Sequence, residues 1–222
     1  LRVVFNVNVS HQTVLNYAEA AAFHCHHFNM KFKGPIDNES SGDETYIKIA
    51  GKTNFVFLFT SVKKHTITSY HVANNRETLP ATIAMNEAIR TAAPDQKLTL
   101  ITDANPSYTA GVMFLNEKRD KGHQITLKQV IGLQNLDQTS TEFRSFKQII
   151  ERLNRTFKFH VRASAGFKAT NGAVALTTLI VTHYNFLRPH MTLNYKVPIE
   201  IPELQAVATI QGRWAKILSM AT

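Results

Sequence analysis

The sequence predicts an α/β protein, a mixed sheet covered by helices, on three observations. Three strand-like runs, Thr45 to Ala50, Asn54 to Ser61 and Thr66 to Val72, follow one another with only short turns between them. A nearly all-apolar run, Leu98-Thr99-Leu100-Ile101-Thr102, stands alone after a helical stretch and ends at Asp103, as a buried central strand does. Long helical periodicity dominates the second half of the chain.

Each element has its own signal. Residues 7–28 read as one helix entered through a turn, with Ser10 as N-cap and apolar residues at Val14, Leu15, Ala18, Ala21 and Ala22. Its start, Val-Ser-x-x-Thr-Val-x-Asn-Tyr, has the pattern of the turn and second helix of a helix-turn-helix, whose early polar residues, here His11, Gln12, Thr13 and Asn16, reach base edges. An ordinary capped surface helix explains the same residues. The breaker-rich stretch 34–42 is the expected linker. Gly51-Lys52 and Lys63-Lys64-His65 supply turns for an antiparallel meander. Thr78 to Ala92 reads as a helix with Thr78 as cap and Pro80 in its first turn. Helical character around Tyr108 to Arg119 and a strand near Thr126 to Ile131 follow. From Glu142 to Lys158, Phe143, Phe146, Ile150, Leu153 and Phe157 recur on one helix face. A more buried helix, Ala173 to Leu187, stops at Arg188-Pro189, and the tail ends in a short helix near Arg213 to Met220. The ribonuclease H-like fold has this order of elements, with carboxylates from the first strand, the fourth strand and a later helix meeting at one end of the sheet.

A chain of 222 residues holds one catalytic domain and a small appendage. Its formal charge of +9 favours a polyanionic partner. The excess lies late, since residues 141–222 carry 11 Lys and Arg against 4 Asp and Glu. No apolar run is long enough to span a bilayer, so a nucleic acid is preferred to a membrane as that partner. One cysteine, Cys25, excludes an intrachain disulfide and fits a reducing compartment. The opening Leu1, inside a continuing pattern, suggests that the natural protein begins earlier.

Three acids stand out against this basic background. Cleaving or joining a phosphodiester calls for an activated oxygen nucleophile and a stabilised leaving oxygen, and divalent ions held by carboxylates supply both. Asp43 at a strand start, Asp103 at a strand end and Glu151 on a helix fit that division of work. Singly, each has an ordinary explanation: a turn residue, an Asx-turn, and an i,i+4 pair with Arg155. Lys147, Arg155 and Lys158 share the helix face with Glu151, a basic surface for backbone phosphates with Asn154 at its edge.

Four blocks, Gly42-Asp43-Glu44-Thr45-Tyr46-Ile47-Lys48, Thr102-Asp103-Ala104-Asn105-Pro106-Ser107-Tyr108, Lys147 to Lys158, and His183-Tyr184-Asn185-Phe186-Leu187-Arg188-Pro189-His190, together resemble insertion-sequence transposases of the DDE type, close to the IS6/IS240-like group. The resemblance runs from about Ser10 to Met220. It implies a ribonuclease H-like catalytic domain over 43–190, a partial helix-turn-helix over 1–33, and a C-terminal tail over 191–222. It further implies Asp43, Asp103 and Glu151 as a triad binding Mg²⁺ or Mn²⁺, and DNA cleavage and strand transfer. The partners implied are double-stranded DNA, as element terminal inverted repeats and target, and further copies of the chain as a dimer or higher oligomer, in a prokaryotic cytoplasm at the nucleoid. The Tyr-Asn-x-x-Arg-Pro-His block reads as structural, with a DNA contact through Arg188. Two features depart from the family: an abbreviated N-terminus, and a long interval between Asp103 and Glu151 that leaves Glu142 as second choice for the third acid.

Two other readings stay open at this level: a DNA-binding protein derived from such an enzyme but inactive, and a nuclease that cannot transfer strands. His24-Cys25-His26-His27 lacks the two spaced ligand pairs of a structural zinc site and reads as a solvated helix end. His183 reads as a core histidine and Trp214 as a packing anchor. No Walker-type or dinucleotide glycine pattern is present.

Overall fold

The alternating run that carries the acidic pair forms the middle strand of the sheet. The computed structural model describes residues 6–131 and 137–221. In it β1 (Glu39–Ile49), β2 (Lys52–Ser61) and β3 (Ile67–Ala73) make an antiparallel meander, while β4 (Thr99–Thr102) and β5 (Thr126–Gln129) add in parallel on the other side of β1. The five-stranded order is β3-β2-β1-β4-β5. Ala50 and Gly51 join β1 to β2 with φ of +48° and +75°, the positive values that a two-residue hairpin loop of type I′ needs at both positions.

The sheet begins earlier than the sequence suggests. Glu39 to Gly42, assigned above to a linker, already belong to β1, and Asp43 lies inside the strand rather than at its start. The reason is local. Ser40, Ser41 and Gly42 are buried, and the space over Gly42 is filled by the Phe59 ring of β2, which pairs with it. A glycine that looks like a breaker is here a seat for an aromatic side chain.

Two helical layers cover the sheet. Helices α2 (Thr78–Ala88) and α3 (Pro106–Asn116) pack Ala81, Ala84, Met85, Tyr108 and Val112 against Phe57, Phe59 and Leu100. On the opposite face, α4 (Gln138–Arg162) and α5 (Thr170–Phe186) pack Ile150, Leu153, Phe157, Ile180 and Val181 against Ile47, Ile49, Val56, Leu58 and Ile67. Because strand side chains alternate, Ile47 and Ile49 face α4 and α5, as does Asp43, whereas Gly42 and Glu44 face α3. Thr78 is the first residue of α2, not its cap; that place falls to Glu77.

The N-terminal helix α1 (His11–Lys31) is capped by Ser10, whose hydroxyl oxygen accepts from the Thr13 amide. It buries Ala22, Cys25 and Phe28 against α5 and the C-terminal helices α6 (Pro202–Gln205) and α7 (Ile210–Ala221), the first of which the sequence did not announce. Val14 and Leu15, expected on its inner face, are exposed, and the buried residues of α1 run from Ala22 onward. No helix precedes it among the described residues, and residues 6–10 are irregular, so the first half of a helix-turn-helix is not seen. Trp214 is an anchor for the tail, packed into the same cluster. Asn185 exchanges two 2.9 Å hydrogen bonds with the backbone of Ile67, which satisfies the start of edge strand β3. No helix among the described residues is long and apolar enough to cross a membrane.

Candidate active site

The parallel pairing of β1 with β4 brings the first two acids together. Ser41 pairs with Ile101; two residues on, Asp43 stands on β1, on the face toward α4, and Asp103 just past the end of β4. One carboxylate oxygen from each of Asp43, Glu44 and Asp103 lies within 4.8 Å of the others.

Each acid is held by its own partners. Asp103 follows β4, and its Oδ1 accepts from the Asn105 amide at 3.1 Å. Asn105 in turn caps α3, its Oδ1 accepting from the Ser107 amide at 3.1 Å, with Pro106 in the first turn. The side-chain amide of Asn105 also serves Glu44, Nδ2 donating to Oε1 at 3.1 Å, while the buried Tyr108 hydroxyl donates to Glu44 Oε2 at 2.6 Å. Burial and the neighbouring Glu44 carboxylate push the Tyr108 phenol well above its usual range, so it stays a donor. Thus the Asp-Ala-Asn-Pro-Ser-Tyr block is a tandem turn that fixes one acid and tethers another.

Asp43 faces α4. Lys147 Nζ stands 3.1 Å from its Oδ1, and Asn154 Nδ2 donates to its Oδ2 at 3.0 Å. Burial pushes the Asp43 carboxyl upward; the Lys147 ammonium pulls it back, and Asp103 and Glu44 add to the rise. Among the described residues the other ion pair to the cluster is from Arg76 to Glu44, at 3.7 Å. These residues fit a hard divalent cation. They offer three carboxylates, and Asn154 Oδ1 beside Asp43 is a buried oxygen with no hydrogen-bond partner.

The remaining candidates are distributed as follows. Glu151 is exposed on α4, one turn from Lys147 and just before Asn154, on the same helix face as both; its carboxylate is not among the three that meet. Glu142 is exposed and lies about 18 Å further up the helix from Asn154. Arg155 and Lys158 are exposed, with Lys158 Nζ 4.3 Å from the Tyr46 ring centre. Lys147, expected on that outward basic surface, is instead buried, because Asp43 sits directly beneath it. Arg188 is half-buried and lies over the Tyr184 ring. His11, Gln12, Thr13 and Asn16 stand at the start of α1, Gln12 donating to Asn16 at 2.8 Å, and are not brought to the carboxylates.

Two features escaped sequence reading. Glu44, taken as part of a signature rather than a ligand, joins the cluster because Asp103 lies at the very end of β4, where both faces are within reach. Lys147 as the partner of Asp43 was signalled only by its spacing from Asn154, which sets both on one face of α4. Cys25 is fully buried, its thiol pushed up to about 11 by burial, and His26 contacts the Tyr70 hydroxyl. The described residues bring no metal-holding group together around them.

Comparisons with known proteins follow the same lines. A family profile described as a DDE domain, of IS240-type transposases, matches residues 39–184. A chain of the simian T-cell lymphotropic virus intasome, in complex with the PP2A regulatory subunit B56 gamma, superposes with a TM-score of 0.50 at 16% identity over 79% of this chain. The protein spans 61% of that intasome chain. The HTLV-2 integrase catalytic core domain, in complex with magnesium, gives 0.49 at 14% identity, covering 73% of this chain and 94% of the core. The Mos1 strand transfer complex gives 0.38 at 11% identity, over 97% of this chain and 63% of its own. No curated protein matches the sequence. The intasome superposition shows the shared ribonuclease H-like fold, and the profile, which covers most of the chain, shows that this protein belongs to the DDE domain family of IS240-type transposases.

Proposed function

We propose that the protein is a DDE transposase that cuts DNA at the ends of an insertion sequence and joins the resulting 3′-hydroxyls to target DNA. The observation that carries this reading is the meeting of Asp43, Glu44 and Asp103 within 4.8 Å at the end of the β1/β4 pair in a chain of this family. Asp43 and Asp103 hold Mg²⁺ or Mn²⁺, and Glu151, one helical turn from Lys147, completes the set from α4. When bound, the divalent ions activate the attacking oxygen and neutralise charge on the leaving oxygen. Asn105 and Tyr108 keep Glu44 oriented, and the Asn105 amide keeps Asp103 oriented, so the carboxylates need little reorganisation. Arg155, Lys158 and Arg188 place the DNA backbone, and the polar first turn of α1, His11, Gln12, Thr13 and Asn16, supplies contacts to double-stranded DNA. Terminal inverted repeats and target DNA are the substrates, engaged by a homodimer or higher oligomer in the cytoplasm.

The test is Mg²⁺-dependent nicking and joining of labelled DNA carrying the element's ends. Activity that survives both Asp43→Ala and Asp103→Ala would falsify the reading. Covalent joining to target, rather than nicking alone, separates a transposase from a nuclease.

A further inference from the structure

The side of α4 turned away from Asp43 borders a second basic feature. Arg152, Arg155, Thr156 and Phe159 lie about 100–200° round the helix from Asn154. With His183 and Arg188 they line a pocket of about 580 Å³ between α4 and the end of α5. A smaller cavity of about 160 Å³ continues it, sharing Arg152, Thr156 and Arg188 and adding His65 and His190. No carboxylate lines either cavity, and none of the three guanidiniums has a carboxylate partner among the described residues. Burial holds His183 below its ordinary range, and the neighbouring His160 and Arg188 lower it further. A surface with this much uncompensated positive charge fits a ligand with closely spaced negative charges.

One wall is aromatic. Phe159 is 77% exposed, although it lies on a helix whose other face has buried Phe157. A phenyl ring left in water at the rim of an arginine-lined pocket has the make-up of a single-strand nucleic-acid site, in which cations follow the backbone and an aromatic face receives a base. The volume is sufficient for a nucleotide and more than a lone phosphate needs.

We infer that this pocket binds an unpaired nucleotide of the DNA, its phosphates held by Arg152, Arg155 and Arg188 and its base stacked on Phe159. The inference rests on the reading of the protein as a DNA-processing enzyme and adds to it a subsite apart from the carboxylates. α4 then serves DNA twice, through the acid Glu151 and, about 80° round the helix, through Phe159 beside the arginines.

The test uses the full chain in EDTA and compares two labelled probes, a blunt duplex and the same duplex with a short single-stranded extension. Wild-type protein is expected to bind the extended probe more tightly. In Phe159→Ala that preference falls by about fivefold or more, the weight of one stacked base, and Phe159→Trp restores it. Arg152→Ala weakens binding of the extended probe and makes it less sensitive to salt. Phe159 is exposed, so unchanged melting curves will show that the variants remain folded. Equal wild-type affinity for the two probes, or a preference untouched in Phe159→Ala, overturns the inference. Because no metal is present, the result is independent of cleavage: wild-type nicking without a probe preference removes the subsite alone, and a probe preference without nicking strikes the proposed activity alone.

Discussion

Lys147 stands 3.1 Å from the central acid Asp43, so a protein cation already occupies one side of the carboxylate cluster. A metal ion held by Asp43 would compete with that ammonium for the carboxylate's negative charge. Lys147→Met keeps most of the packing and removes the competing charge. The variant should bind Mn²⁺ about tenfold more tightly by calorimetry, a gain of about 1.4 kcal/mol. Without metal it should melt at a lower temperature, since a largely buried carboxylate has lost its only cation among the described residues. Unchanged or weaker Mn²⁺ binding would show that Lys147 does not compete for the site.

Glu151 and Glu142 are both exposed on α4, but only Glu151 shares the face that Lys147 and Asn154 turn toward Asp43. Glu151→Gln should therefore lower Mg²⁺-dependent nicking by roughly three orders of magnitude, about 4 kcal/mol of barrier. Glu142→Gln should leave nicking within about twofold of wild type, as expected for a surface change that meets nothing in the site. The reverse ranking would move the third acid up the helix.

Gly42 has no room for a side chain. A Cβ there would clash with the Phe59 ring, which is itself fully buried. Gly42→Ala is expected to cost about 1–3 kcal/mol in urea unfolding, the range for overpacking a core. Gly42→Ala combined with Phe59→Leu should recover part of that loss; a single variant as stable as wild type would mean that the ring moves aside freely.

Five histidines, the half-buried His65, His71, His183 and His190 and the more exposed His26, are held below their ordinary value of 6.5, each chiefly by burial. Near neutrality they are uncharged in the folded chain. As the pH falls through 6.5, the unfolded chain takes up protons before the folded one does, so stability declines with acidification until the folded-state values are reached. Thermal melts should show a falling midpoint between pH 7.5 and about 5.5. His183→Gln should make that slope shallower, and a midpoint that stays level or rises over this interval would contradict the burial effect.

Much of this arrangement is legible in the sequence, and the parts that are not share a cause. The meander, β4 and helix α4 follow from alternation, from an isolated apolar run and from helical spacing, all of which are local. Asp43 and Asp103 were identifiable because each closes or interrupts such a pattern. What escaped depends on contacts between distant residues. Ser40, Ser41 and Gly42 look like linker until Phe59 is placed over the glycine. Val14 and Leu15 look like an inner face until α1 proves to have nothing among the described residues packed over them. Lys147 looks like one more surface cation until β1 supplies its carboxylate.

The register of β1 against β4 also carries a temporal meaning. The meander from Glu39 to Ala73 pairs sequence neighbours and can form early, whereas the β1/β4 pairing must wait for the chain through α2 to be laid down. Pulse-labelled hydrogen exchange should find β2 amides protected before those of β4. During synthesis, Asp43 is therefore made well before Asp103, and the three carboxylates can meet only once β4 has docked beside β1.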